Sequence, residues 1–151
     1  MIKFSALRSE QIPDLVGREA STTAHPWTES GLRSSFRGTA DCLLIHADER
    51  VVGYLVVQRL PDEAELLNLV IFSPHGSRGY GYAALLKLQH WLRASGVDKI
   101  HLEVRATNAR AVALYHKAGF VQLGVRADYY RGSGLPDGNR EDAILMCWNG
   151  R

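Results

Sequence analysis

Apolar positions along this chain repeat with a helical period in some stretches and a period of two in others, and each change of period marks an element. Ile2–Ala6 reads as an opening strand. From Glu10 to Ala20 the spacing of Ile12, Leu15, Val16 and Glu19-Ala20 is helical, and Pro13 is tolerated because it falls in the first turn. Thr28 suits the N-cap of a second helix running to Phe36. The period then drops to two. Asp41–Ala47 and Val51–Arg59 are β-rich runs joined by Asp48-Glu49-Arg50, which predicts a hairpin. Glu63–Phe72 is almost continuously Leu, Val and Ile, the pattern of a strand buried on both faces.

After a glycine-rich turn over Ser73–Gly81, a helix is predicted from Tyr82 to Ser95, with Leu85, Leu88 and Leu92 on one stripe and Gly96 just past its end. Lys99–Arg105 alternates cleanly, Ile100, Leu102 and Val104 facing one way and His101, Glu103 and Arg105 the other. Asn108 caps a helix that continues to Ala118 and stops at Gly119. Phe120–Arg126 and Asp142–Trp148 read as closing strands around a polar loop, Gly132–Asn139. The order β-α-α-β-β-β-α-β-α-β-β implies an α+β fold with a mixed sheet.

Composition narrows the class without changing that picture. With 151 residues, 46% of them hydrophobic, and a formal net charge of +2, the chain is expected to be one folded domain over residues 1–151. Cys42 and Cys147 are too few for a disulfide scaffold and read as buried thiols, which fits a reducing compartment. No run approaches about 18 apolar residues, and Met1–Ala6 lacks the shape of a signal peptide. The charge is also too slight for a dedicated nucleic-acid domain. The expectation is therefore a cytoplasmic protein engaging neither membrane nor nucleic acid directly. The six histidines show no metal-ligand spacing, so no metal is expected.

The most informative local feature is Arg78-Gly79-Tyr80-Gly81-Tyr82, set between a buried strand and an amphipathic helix. Glycines let a ligand approach the backbone, a helix start leaves N–H groups unpaired beside a positive dipole end, and Arg78 adds a cation. That combination suits a phosphate or pyrophosphate; the plainer alternative is a turn whose dihedrals need glycine. Gly79, Gly81 and Ala84 satisfy G-x-G-x-x-A, and Glu103 lies 22 residues beyond Gly81, as in dinucleotide sites. The context argues against a nicotinamide site, since four strands precede the turn instead of one. No P-loop sequence is present. Glu103, flanked by Leu102 and Val104, is a candidate base; its alternative is an ion pair with Arg105 or Lys99. Tyr115 could turn its phenol to the same cleft, or simply pack in the core.

Taken together, these segments resemble the GCN5-related N-acetyltransferases (GNAT). The Arg78-Gly79-Tyr80-Gly81 turn matches the end of that family's Q/R-x-x-G-x-G/A motif, and Leu102 through Phe120, ending Ala118-Gly119-Phe120, resembles its next block. Further likeness to the ribosomal-protein alanine N-acetyltransferases of RimI type lies in His25-Pro26-Trp27-Thr28, Glu65-Leu66-Leu67-Asn68-Leu69, Tyr129-Tyr130 and Glu141-Asp142-Ala143-Ile144. The resemblance implies a mostly antiparallel central sheet flanked by helices. It implies acetyl-CoA as co-substrate, held by the backbone of Leu69, Val70 and Ile71, by Ser77, Arg78, Gly79, Tyr80, Gly81 and Tyr82, and by Asn108. It makes Glu103 the general base and Tyr115 the general acid, with Trp27, Tyr130 and the loop around Gly134 lining a peptide groove. The motif's opening Gln or Arg is Gly76 here and a second basic residue is Ser77, so Arg78 is left to supply most of the side-chain charge.

The implied reaction is direct attack of a protein N-terminal amine on the thioester, the expected partner being the N-terminal alanine of a small-subunit ribosomal protein. Two competitors remain: an enzyme of the same fold acting on a lysine side chain or small amine, and a non-catalytic acyl-CoA-binding domain.

Overall fold

In the computed structural model, which describes residues 1–130 and 140–151, seven strands form one sheet in the order β1-β2-β3-β4-β5-β7-β6. The elements are β1 (Ile2–Ala6), a 3-10 turn (Ser9–Gln11), α1 (Ile12–Ala20), α2 (Glu29–Arg37), β2 (Asp41–Ala47), β3 (Arg50–Arg59), β4 (Ala64–Ile71), α3 (Tyr80–Ala94), β5 (Lys99–Arg105), α4 (Ala109–Lys117), β6 (Val121–Tyr130) and β7 (Glu141–Asn149). Every neighbouring pair is antiparallel except β4 and β5. The α+β class and the element order expected from the sequence are therefore both observed. No helix among the described residues is long and apolar enough to cross a membrane.

Two apolar clusters flank the sheet. On one face α3 buries Ala84, Leu85, Leu88 and Leu92 against Leu55, Val57, Leu66, Ile100 and Leu102; each fully buried leucine contributes about 1.5–3 kcal/mol. On the other face α1 and α2 bury Ile12, Leu15 and Leu32 against Leu44, Tyr54, Val56, Val70 and Phe72. The Thr28 hydroxyl accepts from the Gly31 N–H at 3.0 Å, the N-cap that the sequence predicts.

Three expectations need correction. α3 begins at Tyr80 and not Tyr82, because Gly79, at φ +79°, is itself the N-cap. β4 is not buried on both faces: Glu65 and Leu67 are exposed. Its register explains why. Val56 pairs with Asn68 while Val57 pairs with Leu66, so Leu67 is an extra residue, a β-bulge. The bulge reverses the parity of the strand, turning Leu69 and Ile71 to the α3 face along with Ala64 and Leu66. Finally, β6 runs past Arg126 to Tyr130, across an irregularity that holds Asp128 at φ +54°. The predicted loop Gly132–Asn139, including Gly134, lies outside the described residues.

Candidate active site

The site begins where the sheet fails to close. β4 and β5 pair only at Ala64↔Ile100 and Glu65↔His101, and beyond the Leu67 bulge the two strands separate. The Phe72 N–H donates to the Val52 carbonyl at 2.8 Å. Antiparallel ladders alternate between bonded and non-bonded pairs, so Val70 and Asn68 also turn their backbone groups to β3. Leu69 and Ile71 therefore present theirs to the gap. Gly53, opposite Ile71, makes the tight β3–β4 approach possible: a Cβ there would sit 2.0 Å from the Val70 carbonyl oxygen.

At the end of β4 the gap meets the start of α3. The first bond within the helix is from the Ala83 N–H to the Gly79 carbonyl, and no side chain caps the end. The N–H groups of Gly79, Tyr80, Gly81 and Tyr82 thus have no acceptor within the helix. An ideal Cβ on Gly81 would lie 3.7 Å from Ile71 Cγ1 and 3.1 Å from Leu114 Cδ2, so glycine lets β4, α3 and α4 converge. Arg78 is exposed, without an ion pair among the described residues, and Ser77 has φ +63°. These donors, all N–H groups and guanidinium, are the chemistry of a polyanion site. Asn108 caps α4, its Oδ1 accepting from the Ala111 N–H at 3.1 Å, which leaves its amide NH2 to donate elsewhere.

The two candidate acid–base residues come from opposite faces. Ile100, Leu102 and Val104 of β5 belong to the α3-side core, so Glu103, of opposite parity, faces the α1 side. Its ion-pair partner is Arg126 of β6, at 3.3 Å, and not the Arg105 or Lys99 expected as alternatives. Arg105 instead pairs with Glu141 at 3.3 Å and stacks on the Tyr130 ring at 4.3 Å. Tyr115 packs on the α3 side, edge-on to Phe120. Burial, and then the neighbouring Tyr130, push its phenol up to about 12. The Tyr130 phenol is raised as well, chiefly by burial and next by the Glu103 carboxylate. Tyr130 is thus within electrostatic reach of both Glu103 and Tyr115.

Trp27 is half-buried against the α1-side core, and no hydrogen bond, ion pair or ring contact among the described residues joins it to Glu103, Tyr115 or Tyr130.

Several residues have supporting contacts that the sequence did not reveal. Glu19, only 1% exposed, accepts from the Tyr54 hydroxyl at 2.5 Å and from Asn68 Nδ2 at 3.1 Å, and Asn68 also donates to the Tyr54 oxygen. This network ties α1 to the post-bulge segment of β4. Glu141 accepts from the Thr107 N–H at 2.7 Å and from its hydroxyl, fixing the turn before Asn108. Burial works to raise the Glu141 carboxyl, but bonds from Thr107 and Arg105 outweigh it and hold it below its ordinary value. The available signals were a glycine inside a strand pattern for Gly53 and a carboxylate on an apolar helix face for Glu19.

Residues 5–120 match the family model described as the acetyltransferase (GNAT) family. Over 147 residues the chain is 33% identical to the ribosomal protein bS18 alanine N-acetyltransferase of Escherichia coli, covering 97% of each chain. It is likewise 33% identical over 131 residues to the protein of that name from Haemophilus ducreyi, covering 85% of this chain and 88% of the other. The crystal structure of the ribosomal-protein-S18-alanine N-acetyltransferase from Escherichia coli matches with a TM-score of 0.86 at 32% identity, over 99% of this chain and 94% of that one.

Proposed function

Because this chain belongs to the acetyltransferase (GNAT) family, we propose that it moves an acetyl group from acetyl-CoA to the N-terminal amine of a protein, an alanine on a small-subunit ribosomal protein. The observation that carries this reading is the gap between β4 and β5, where a free strand edge at Leu69 and Ile71 runs toward an uncapped helix start, with Glu103 on the bordering strand β5. The substrate follows from the relatives, whose names specify the alanine of ribosomal protein bS18.

Acetyl-CoA supplies an activated thioester, a long amide-bearing arm and a pyrophosphate. The exposed edge of Leu69 and Ile71 offers N–H and C=O groups to the arm as an added strand would, and an N–H from the same edge suits a carbonyl oxygen that gains negative charge. Gly79–Tyr82 and Arg78 hold the pyrophosphate. The Asn108 amide supports the cofactor farther along. On the opposite face Glu103 takes the proton from the attacking amine, directly or through a water. An α-amine titrates at about 7.7–8.0, so at neutral pH only a modest base is needed, whereas a lysine near 10.4 asks far more.

Tyr115 assists the leaving sulfur from the α3 side. With its phenol pushed up to about 12 it is fully protonated at neutral pH and can donate. A dry pocket raises a thiol as well as a phenol, so the proton can follow the sulfur as its bond to carbon breaks. Tyr130 and Trp27 line the peptide side, Tyr130 held by the Arg105 guanidinium across its ring.

The test is mass spectrometry of two peptides incubated with the protein and acetyl-CoA, one with a free N-terminal Ala and no Lys, the other blocked at its N-terminus with an internal Lys. One acetyl group gained by the first alone is the expected outcome. Acetylation of the second alone discards the substrate class, and no change in either removes the proposed activity.

A further inference from the structure

Resting on acetyl-CoA as the acyl donor, we infer that Arg110 of α4 supplies the side-chain cation for the pyrophosphate that the glycine turn itself lacks at Gly76 and Ser77. Arg110 Nη2 donates to the Ser77 hydroxyl at 2.6 Å, and an ideal Cβ on Gly76 would lie 3.5 Å from that same nitrogen. The guanidinium therefore lies in van der Waals contact with the point where a side chain at position 76 would begin. It is delivered by a stripe on α4: Arg110 reaches the turn, Leu114 packs on Gly81, and Lys117 lies 4.4 Å above the Tyr82 ring.

Local physics gives Arg110 little reason to be there. It is the second residue of α4, whose first turn has no acidic residue, and a cation so near the positive end of the dipole is disfavoured. Among the described residues its one polar partner is a neutral hydroxyl, on a serine in the left-handed region. An exposed guanidinium has five N–H donors in a flat fork. A phosphate bridging the fork and the N–H groups of Gly79–Tyr82 would satisfy both. Ser77 stands two residues before the α3 N-cap, which assigns Arg110 to the pyrophosphate and not to the 3′-phosphate.

The experiment compares the full chain with Arg110→Ala, measuring Kd for CoA by calorimetry and steady-state kinetics with acetyl-CoA. Loss of a charged hydrogen bond predicts Kd and KM raised about tenfold, with kcat within about twofold. The penalty should persist with dephospho-CoA, which keeps the pyrophosphate, and vanish with S-acetyl-pantetheine, which has none. Adding Gly76→Arg to Arg110→Ala should recover the affinity, since position 76 has an ordinary φ and its side chain would enter the vacated space. Wild-type-like CoA binding by Arg110→Ala overturns the inference while leaving the donor intact. A penalty that disappears with dephospho-CoA moves the contact to the 3′-phosphate and overturns it too. A wild-type chain that binds no CoA removes the acetyl-CoA reading and this inference together.

Discussion

Arg126 of β6 reaches across β7, the strand between them, to place its guanidinium 3.3 Å from the Glu103 carboxylate of β5. Glu103 is thus already engaged with a cation before any amine arrives. The Arg126 side chain is 51% exposed and stacks 4.5 Å above the Tyr129 ring. An incoming ammonium must compete with it. Exposed pairs contribute about 0.2–1 kcal/mol, so Arg126→Gln should lower the KM for an N-terminal Ala peptide by about 1.5- to 5-fold. A raised KM would mean that Arg126 helps to bind the peptide, and an unchanged KM that it does not compete with the amine.

Glu103→Gln tests the base. Removing a positioned base costs about 10²–10⁴-fold in turnover. The expected result is a fall of that size in kcat with the Kd for CoA unaltered, because Glu103 and the α3 start lie on different elements. Equal loss of both would make Glu103 a structural residue.

The leaving-group role proposed for Tyr115 has a signature in pH. Its pKa is raised to about 12 by burial, so the protonated form persists at pH values where an ordinary tyrosine, near 10, would be half ionised. kcat for the wild-type chain should therefore show no fall between about pH 8.5 and 10 attributable to a phenol. Tyr115→Phe should lower kcat throughout that range. Retention of full turnover would remove Tyr115 from the reaction.

The same sign governs alkaline stability. Tyr54 is pushed upward, first by burial and then by its bond to Glu19. A phenol raised on folding contributes stability that is complete below its unfolded value and is lost as pH climbs above about 10. Denaturant midpoints should therefore drop above pH 10, and less so in Tyr54→Phe. At neutral pH that variant leaves one oxygen of the buried Glu19 carboxylate without its donor, at a cost of about 1–3 kcal/mol, readable as a lower urea midpoint.

Two glycines separate steric from conformational demands. Gly53→Ala would place a methyl 2.0 Å from the Val70 carbonyl oxygen and force β3 from β4 beside the gap; overpacking of this kind costs about 1–3 kcal/mol or more. Gly79→Ala meets nothing within 4 Å but must hold φ +79°, a backbone cost of about 1–2 kcal/mol. Thermal denaturation should rank Gly53→Ala as the more severe. CoA affinity should weaken in both, since each shapes the edge or the helix start proposed to hold the cofactor.

Elements with strong local signals were legible in the sequence because what defines them is local. Ile2–Ala6 and Asp41–Ala47 are observed with the predicted bounds, Thr28 caps α2, Asn108 caps α4, and Gly96 and Gly119 end their helices at positive φ. Periodicity, caps and turn residues act over a few positions, so the chain alone specifies them. The glycine turn was equally plain, as was its lack of a basic residue at 76 and 77.

What the sequence by itself determined is therefore the α+β order, the glycine-rich start of α3 and the residues to be tested as acid and base. Only the tertiary structure decided the rest, because it depends on residues far apart in the chain. The Leu67 bulge is a mismatch between two strands and has no signature in either one. That mismatch set which β4 residues turn to each face, and the early end of the β4–β5 pairing left a free edge at Leu69 and Ile71. Likewise Glu103 found its partner at Arg126, two strands away in the sheet, and not at its sequence neighbours. A second cation beside the glycine turn came from Arg110, 33 positions past Ser77, on a helix that packs against Gly81.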